Sequence, residues 1–108
     1  MAHCFSGNRS EVIELVRLGI YVSFAGLITY SSGALVRDAL GSVPSDKLVI
    51  ETDSPYLTPH GVEGRRNEPA SVVKVATVAA ETIGMNVDEF ASMTTCNARR
   101  LFRLDQTR

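Results

Sequence analysis

The residues able to do chemistry in this 108-residue chain gather where one apolar run gives way to carboxylates: Leu48-Val49-Ile50 leads into Glu51-Thr52-Asp53-Ser54-Pro55. A short apolar run bounded by Pro44 and Pro55 reads as a buried strand with Asp53 at its C-terminal end. Side chains alternate across a strand, which puts Val49, Glu51 and Asp53 on one face and Leu48, Ile50 and Thr52 on the other. A buried carboxylate must be hydrogen-bonded, paired or bound to a cation, because desolvating it alone is too costly. Asp53 is therefore either a ligand at a strand end or a cap for the next loop, since Asp before Ser-Pro is also a common turn opener. His3, in His3-Cys4-Phe5-Ser6-Gly7, is the second candidate. A lone His is usually a partnered polar group. A His and an Asp on one rim, from different strands, suit a divalent metal with mixed nitrogen and oxygen ligands.

The elements that must bring these residues together follow from periodicity and stop signals. Residues near 1–4 form the stub of a strand, and Asn8 and Ser10 offer caps for a helix from about Ser10 to Leu18 that Gly19 stops. Ile20 to Phe24 is β-branched and aromatic, so strand. A helix follows from about Ala34 to Leu40, with Gly41 as its terminator. The third strand covers 48–52. A loop from Ser54 to Glu68 is too long to be mere connection. Pro69 then suits the first turn of a helix running to Ile83 and ended by Gly84. Asn86, with Glu89 three positions on, caps another helix, and a short helix near Asn97 to Phe102 closes the chain. Strand, helix, strand, helix, strand in this order implies parallel strands with right-handed crossovers, so their C-terminal ends share a rim carrying His3, Asp53 and the long loop.

Arg65 and Arg66 lie in that loop, where guanidinium forks hold phosphate oxygens bidentately. A solvated pair, or an ion pair to Glu68, explains them equally well. Ser31-Ser32-Gly33 at a helix start offers backbone N–H groups to a phosphate or simply caps the helix. Net charge is −1, so no basic excess advertises nucleic acid. There is no apolar run of membrane-spanning length and no secretory signal pattern, which makes the cytoplasm the default. Cys4 and Cys96 fit neither a redox nor a zinc-knuckle spacing and are expected to be reduced.

Four ordered segments then carry a resemblance: His3-Cys4-Phe5-Ser6-Gly7, Glu51-Thr52-Asp53-Ser54-Pro55-Tyr56-Leu57, Arg66-Asn67-Glu68-Pro69 and Asn97-Ala98-Arg99-Arg100-Leu101-Phe102. From His3 to Phe102 the chain resembles TatD-family metal-dependent hydrolases. The resemblance implies an α/β fold, the C-terminal part of a TIM-type (β/α)8 barrel of the amidohydrolase kind, with residues 1–108 supplying about three parallel β/α units. It implies divalent metal ions, Mg, Mn or Zn, and DNA or another phosphoester as substrate. His3 and Asp53 match metal-binding residues, and Asp53 is also placed to take a proton from the attacking water. Arg65 and Arg66 are the substrate-binding candidates. Glu51 is expected to anchor the site through an Arg or hydroxyl partner, and Asn97, Arg99 and Phe102 to be structural.

The family's His-x-His strand, and its further Glu and His, have no counterpart here, and a full barrel takes roughly 250 residues. The expectation is a partial barrel whose activity alone is in doubt. The alternative is a catalytically inactive or interaction module completed by another chain. Open sheet edges, with Phe24 and Val49 left uncovered, predict self-association or a complementing N-terminal barrel segment.

Overall fold

The computed structural model describes residues 1–62 and 66–104. Among the described residues the α-helices and strands succeed one another as α1 (Arg9–Arg17), β1 (Val22–Phe24), α2 (Ala34–Leu40), β2 (Leu48–Ile50), α3 (Val72–Ile83) and α4 (Val87–Phe102). Strands β1 and β2 are parallel, in the register Val22–Leu48, Ser23–Val49 and Phe24–Ile50. The expected strand over 1–4 is reduced to one parallel bridge, Ala2 to Val22. Its cause is Cys4, whose φ of 48° turns the chain out of the extended region before Phe5 N–H rejoins the ladder at Ser23 C=O. Strand β1 therefore lies between Ala2 and β2.

Local signals account for the helix boundaries. Asn8 and Glu11 form a reciprocal capping box at the start of α1. Pro69 opens a 3-10 turn, Pro69–Ser71, that leads into α3, and Gly84, at φ 71°, ends α3 in the left-handed conformation that costs glycine nothing. Asn86 accepts from the N–H groups of Asp88 and Glu89 and caps α4. Helix α4 is one continuous element rather than two. The Thr94 hydroxyl, buried in mid-helix, is satisfied by bonding back to Phe90 C=O, so the polar stretch before Asn97 leaves no buried hydroxyl unpaired there.

The core is formed by Phe5, Val12, Val22, Phe24, Ile28, Leu40, Leu48, Val75, Ala79 and Phe90. Phe24 and Val49, expected to stand uncovered, are 0% and 4% exposed. Phe24 is covered partly by Phe5, whose ring meets it edge-on at 5.6 Å between centroids. The outer edge of β2 is closed at its two ends. Lys47 C=O and Glu51 N–H bond to β1, so by the two-residue alternation Leu48 and Thr52 turn their carbonyls away from it. The Leu48 carbonyl accepts from the Asn97 amide at 2.8 Å and the Thr52 carbonyl from the Asn67 amide at 2.7 Å. Between those ends an apolar groove of 490 Å³ opens beside Val49 and Ile50, walled by Val72, Val73, Ala76 and Ala91. Among the described residues no helix is long and apolar enough to cross a membrane.

Candidate metal centre

His3, Glu51 and Asp53 meet at the C-terminal ends of the strands, each offering a ligand atom within 4.8 Å of the others. His3 Nδ1 stands 2.6 Å from Glu51 Oε1, and Nε2 stands 3.7 Å from Asp53 Oδ1. A carboxylate only accepts, so the Glu51 contact requires the proton on Nδ1. In the neutral ring this leaves the Nε2 lone pair directed at the Asp53 side. Two donors of one cation, at bond lengths near 2.1 Å, stand about 3–3.5 Å apart. The Nε2 and Oδ1 pair is close to that separation, so the donor set present fits a divalent ion. Glu51 orients the imidazole, and its other oxygen accepts the Cys4 N–H at 2.9 Å. Its partner is thus the histidine and a backbone amide, not the expected Arg or hydroxyl.

The cluster does not arise from strand alternation. Strand β2 ends at Ile50, and Asp53 adopts φ 57°, a left-handed backbone that Asp tolerates better than most residues. The segment that carries it is held from several sides. Tyr56 N–H donates to Asp53 C=O at 2.9 Å and Asn67 N–H to Pro55 C=O at 3.1 Å. The Tyr30 hydroxyl donates to Thr58 C=O, and His60 N–H to the Thr29 hydroxyl, both at 2.8 Å. Gly26 permits this seating, because a Cβ there would come within 2.2 Å of Leu57 O. His60 itself is exposed and takes no part in the cluster.

Arg66 is exposed and lines a 530 Å³ pocket with Pro55, Asn67, Glu68, Pro69, Ala70 and Ser54, the residue that follows Asp53 in the chain. Arg65, its expected companion, lies outside the described residues. Ser31–Gly33 is a 3-10 turn without a side-chain cap, and Gly33 packs so close to Leu27 O that a Cβ would lie 2.3 Å from it. Glu51 and Asn67 are the residues that sequence reasoning undervalued. The acidic alternation pointed to Glu51 and the Arg-Asn-Glu-Pro segment to Asn67, but the partners of both lie far away in the chain.

Cys4 shares the site. Burial raises its thiol pKa first, and the Asp53 and Glu51 carboxylates raise it further. A raised pKa means less thiolate at any given pH, and thiolate is the reactive form. Alkylation of Cys4 by iodoacetamide at neutral pH is therefore expected to lag behind that of exposed Cys96, and Asp53→Asn is expected to speed it severalfold. Peptide mapping over time reads both rates; equal rates at Cys4 with and without the substitution would refute the electrostatic part.

With this geometry in place, comparison with known proteins is direct. The family model described as TatD related DNase matches residues 1–103. The chain is 44% identical over 106 residues to the uncharacterized metal-dependent hydrolase YcfH of Escherichia coli (strain K12), covering 98% of this chain and 40% of that protein. It is 35% identical over 108 residues to the 3'-5' ssDNA/RNA exonuclease TatD of Klebsiella pneumoniae (strain 342), covering 95% of this chain and 41% of that protein. Among solved structures it superposes on YjjV, a TatD homolog from Escherichia coli K12, with a TM-score of 0.82 at 31% identity, over 90% of this chain and 38% of that one. The chain thus spans about 40% of the length of the curated relatives it matches. Its small parallel sheet and flanking helices form part of a TIM-type barrel. On the match over residues 1–103, the chain belongs to the TatD related DNase family.

Proposed function

We propose that this chain carries one side of a metal-dependent phosphodiesterase site, acting on DNA or a related phosphoester. The observation that supports it most is the 3.7 Å approach of His3 Nε2 to Asp53 Oδ1, with Glu51 holding the other ring nitrogen. His3 and Asp53 would hold a divalent ion, Mg, Mn or Zn. Such an ion supplies positive charge to phosphoryl oxygens and acidifies water. The chain's own residues do the rest. The Asp53 carboxylate accepts a proton from the attacking water as its oxygen bonds to phosphorus, and the P–O bond to the leaving alcohol breaks. The proton then passes to that alcohol's oxygen. Glu51 keeps the imidazole in its ligating tautomer. Arg66, together with Arg65, binds non-bridging phosphate oxygens through charged N–H donors. A nucleic-acid substrate accords with the name of the Klebsiella relative. Free Cys4 and Cys96 suit a reducing cytoplasm.

The test is hydrolysis of a single-stranded oligonucleotide by the purified chain with Mg, Mn or Zn, beside chelator and Asp53→Ala controls. Cleavage lost in both controls supports the assignment, and cleavage unchanged by Asp53→Ala sinks it.

A second reading concerns completion, and the apolar groove beside β2 favours it. Two protein ligands fall short of the roughly three that catalytic zinc sites use. We infer that further barrel strands, from a complementing segment or a second polypeptide, cover this groove and add ligands. The isolated chain is expected to self-associate through it in sedimentation velocity, with a sedimentation coefficient that rises with concentration. A concentration-independent monomer would count against an open groove that needs covering.

A further inference from the structure

Asn67 is 1% exposed, and its amide spends its donors on the turn that carries Asp53. Its Nδ2 donates to Thr52 C=O at 2.7 Å and to Tyr56 C=O at 2.8 Å, with Leu57 C=O at 3.5 Å. Its own N–H donates to Pro55 C=O. One residue thus ties down the chain immediately before Asp53 and three residues after it. The orientation of the amide follows: turned over, its oxygen would face two carbonyl oxygens. The cost of this orientation is visible at Oδ1, a buried acceptor without a donor among the described residues.

We propose that Asn67 is the positioning residue of the site: its clamp on Thr52 and Tyr56 holds Asp53 in the left-handed backbone that aims its carboxylate at His3. The effect on the cation rests on the proposed function above; the effect on the turn does not. Asn97 provides a matched comparison. It too is buried, at 2% exposure, and its Nδ2 donates to two carbonyls, Ser45 at 2.6 Å and Leu48 at 2.8 Å. Those lie at the opposite end of β2, away from Asp53. The two asparagines have similar structural weight, but only Asn67 touches the turn.

The experiment compares the wild-type chain with Asn67→Ser and Asn97→Ser by amide hydrogen exchange and zinc titration. Tyr56 N–H, which bonds to Asp53 C=O, reports the turn without any metal. Asn67→Ser is expected to raise Tyr56 exchange and to weaken zinc binding about 10-fold, the usual scale for groups that orient metal ligands. Asn97→Ser is expected to lower the melting temperature comparably while leaving both readouts at wild-type values. Unchanged Tyr56 exchange in Asn67→Ser overturns the proposal, and so does an equal change in Asn97→Ser. Zinc binding indifferent to Asp53→Ala would instead overturn the metal reading, while Tyr56 exchange still decides the clamp. Should Asn67→Ser fail to fold, the wild-type chain decides. Zinc is expected to shift the NMR signals of the Asn67 side-chain amide and leave those of Asn97 in place; the reverse pattern, or no shift at Asn67 while His3 responds, refutes the clamp.

Discussion

On the proposed function, Asp53→Ala is expected to reduce cation-dependent cleavage of a single-stranded oligonucleotide by about 10²–10⁴-fold, the range for removal of a positioned proton acceptor. Two losses coincide at this residue. Alanine removes the oxygen that stands 3.7 Å from His3 Nε2, and with it one of the donors a cation would use. It also removes the base that would take the proton from water. Asp53→Asn separates them, because its amide oxygen can still meet a cation but is far too weak a base. Asn should thus keep more of the cation affinity than Ala while losing a comparable share of turnover. His3→Ala should show the opposite balance, with affinity falling first and turnover partly recovered at high cation concentration. Glu51→Ala belongs with His3, since the carboxylate acts on the ring and on the Cys4 N–H rather than on substrate. Identical cation titrations for wild type, Asp53→Ala and His3→Ala would refute the shared site.

Much of the frame that carries this site is legible in the chain because its causes are local. Asn8, Pro69, Gly84 and Asn86 act within one helical turn, and each sits where the structure begins or ends a helix. The strands around Val22–Phe24 and Leu48–Ile50 are short apolar runs between breakers, readable for the same reason. The site is less legible because its causes are distant. Glu51 meets His3 across 48 residues of chain, and no spacing rule selects an imidazole over the Arg or hydroxyl partner expected for it. The left-handed backbones at Cys4 and Asp53 belong to residue types that visit that region less readily than glycine. Alternation brought Glu51 and Asp53 to one side through a strand that in fact stops at Ile50. Asn67 shows the limit clearly: an Asn in a loop reads as a turn residue, and its clamp exists only once Thr52 and Tyr56 are in place. Covered Phe24 and Val49 correct the picture of a bare sheet, because Phe5 and the neighbouring elements fold over a sheet of so few strands.

Phe24→Ala is expected to carry the largest stability cost, about 3–5 kcal/mol, the usual range for deleting a buried ring. Phe24 is fully buried on the central strand and packs edge-on against Phe5, an arrangement that adds about 0.5–1.5 kcal/mol to its area burial. A domain of this size has only about 5–15 kcal/mol in total, so the variant should sit near the edge of folding. The damage should also reach the site. Phe5 follows His3 and Cys4, and its ring rests on the one that is lost; a looser Phe5 frees the turn whose N–H groups bond to Glu51 and Ser23. Urea denaturation reads the stability, and Leu35→Ala serves as the comparison, since Leu35 is 70% exposed on α2 and its loss should cost no more than about 0.5 kcal/mol. Phe24→Leu retains part of the volume and should fall between the two. If Phe24→Ala and Leu35→Ala unfold at similar urea concentrations, the ring does not anchor the sheet, and the support it gives to the His3 turn falls with it.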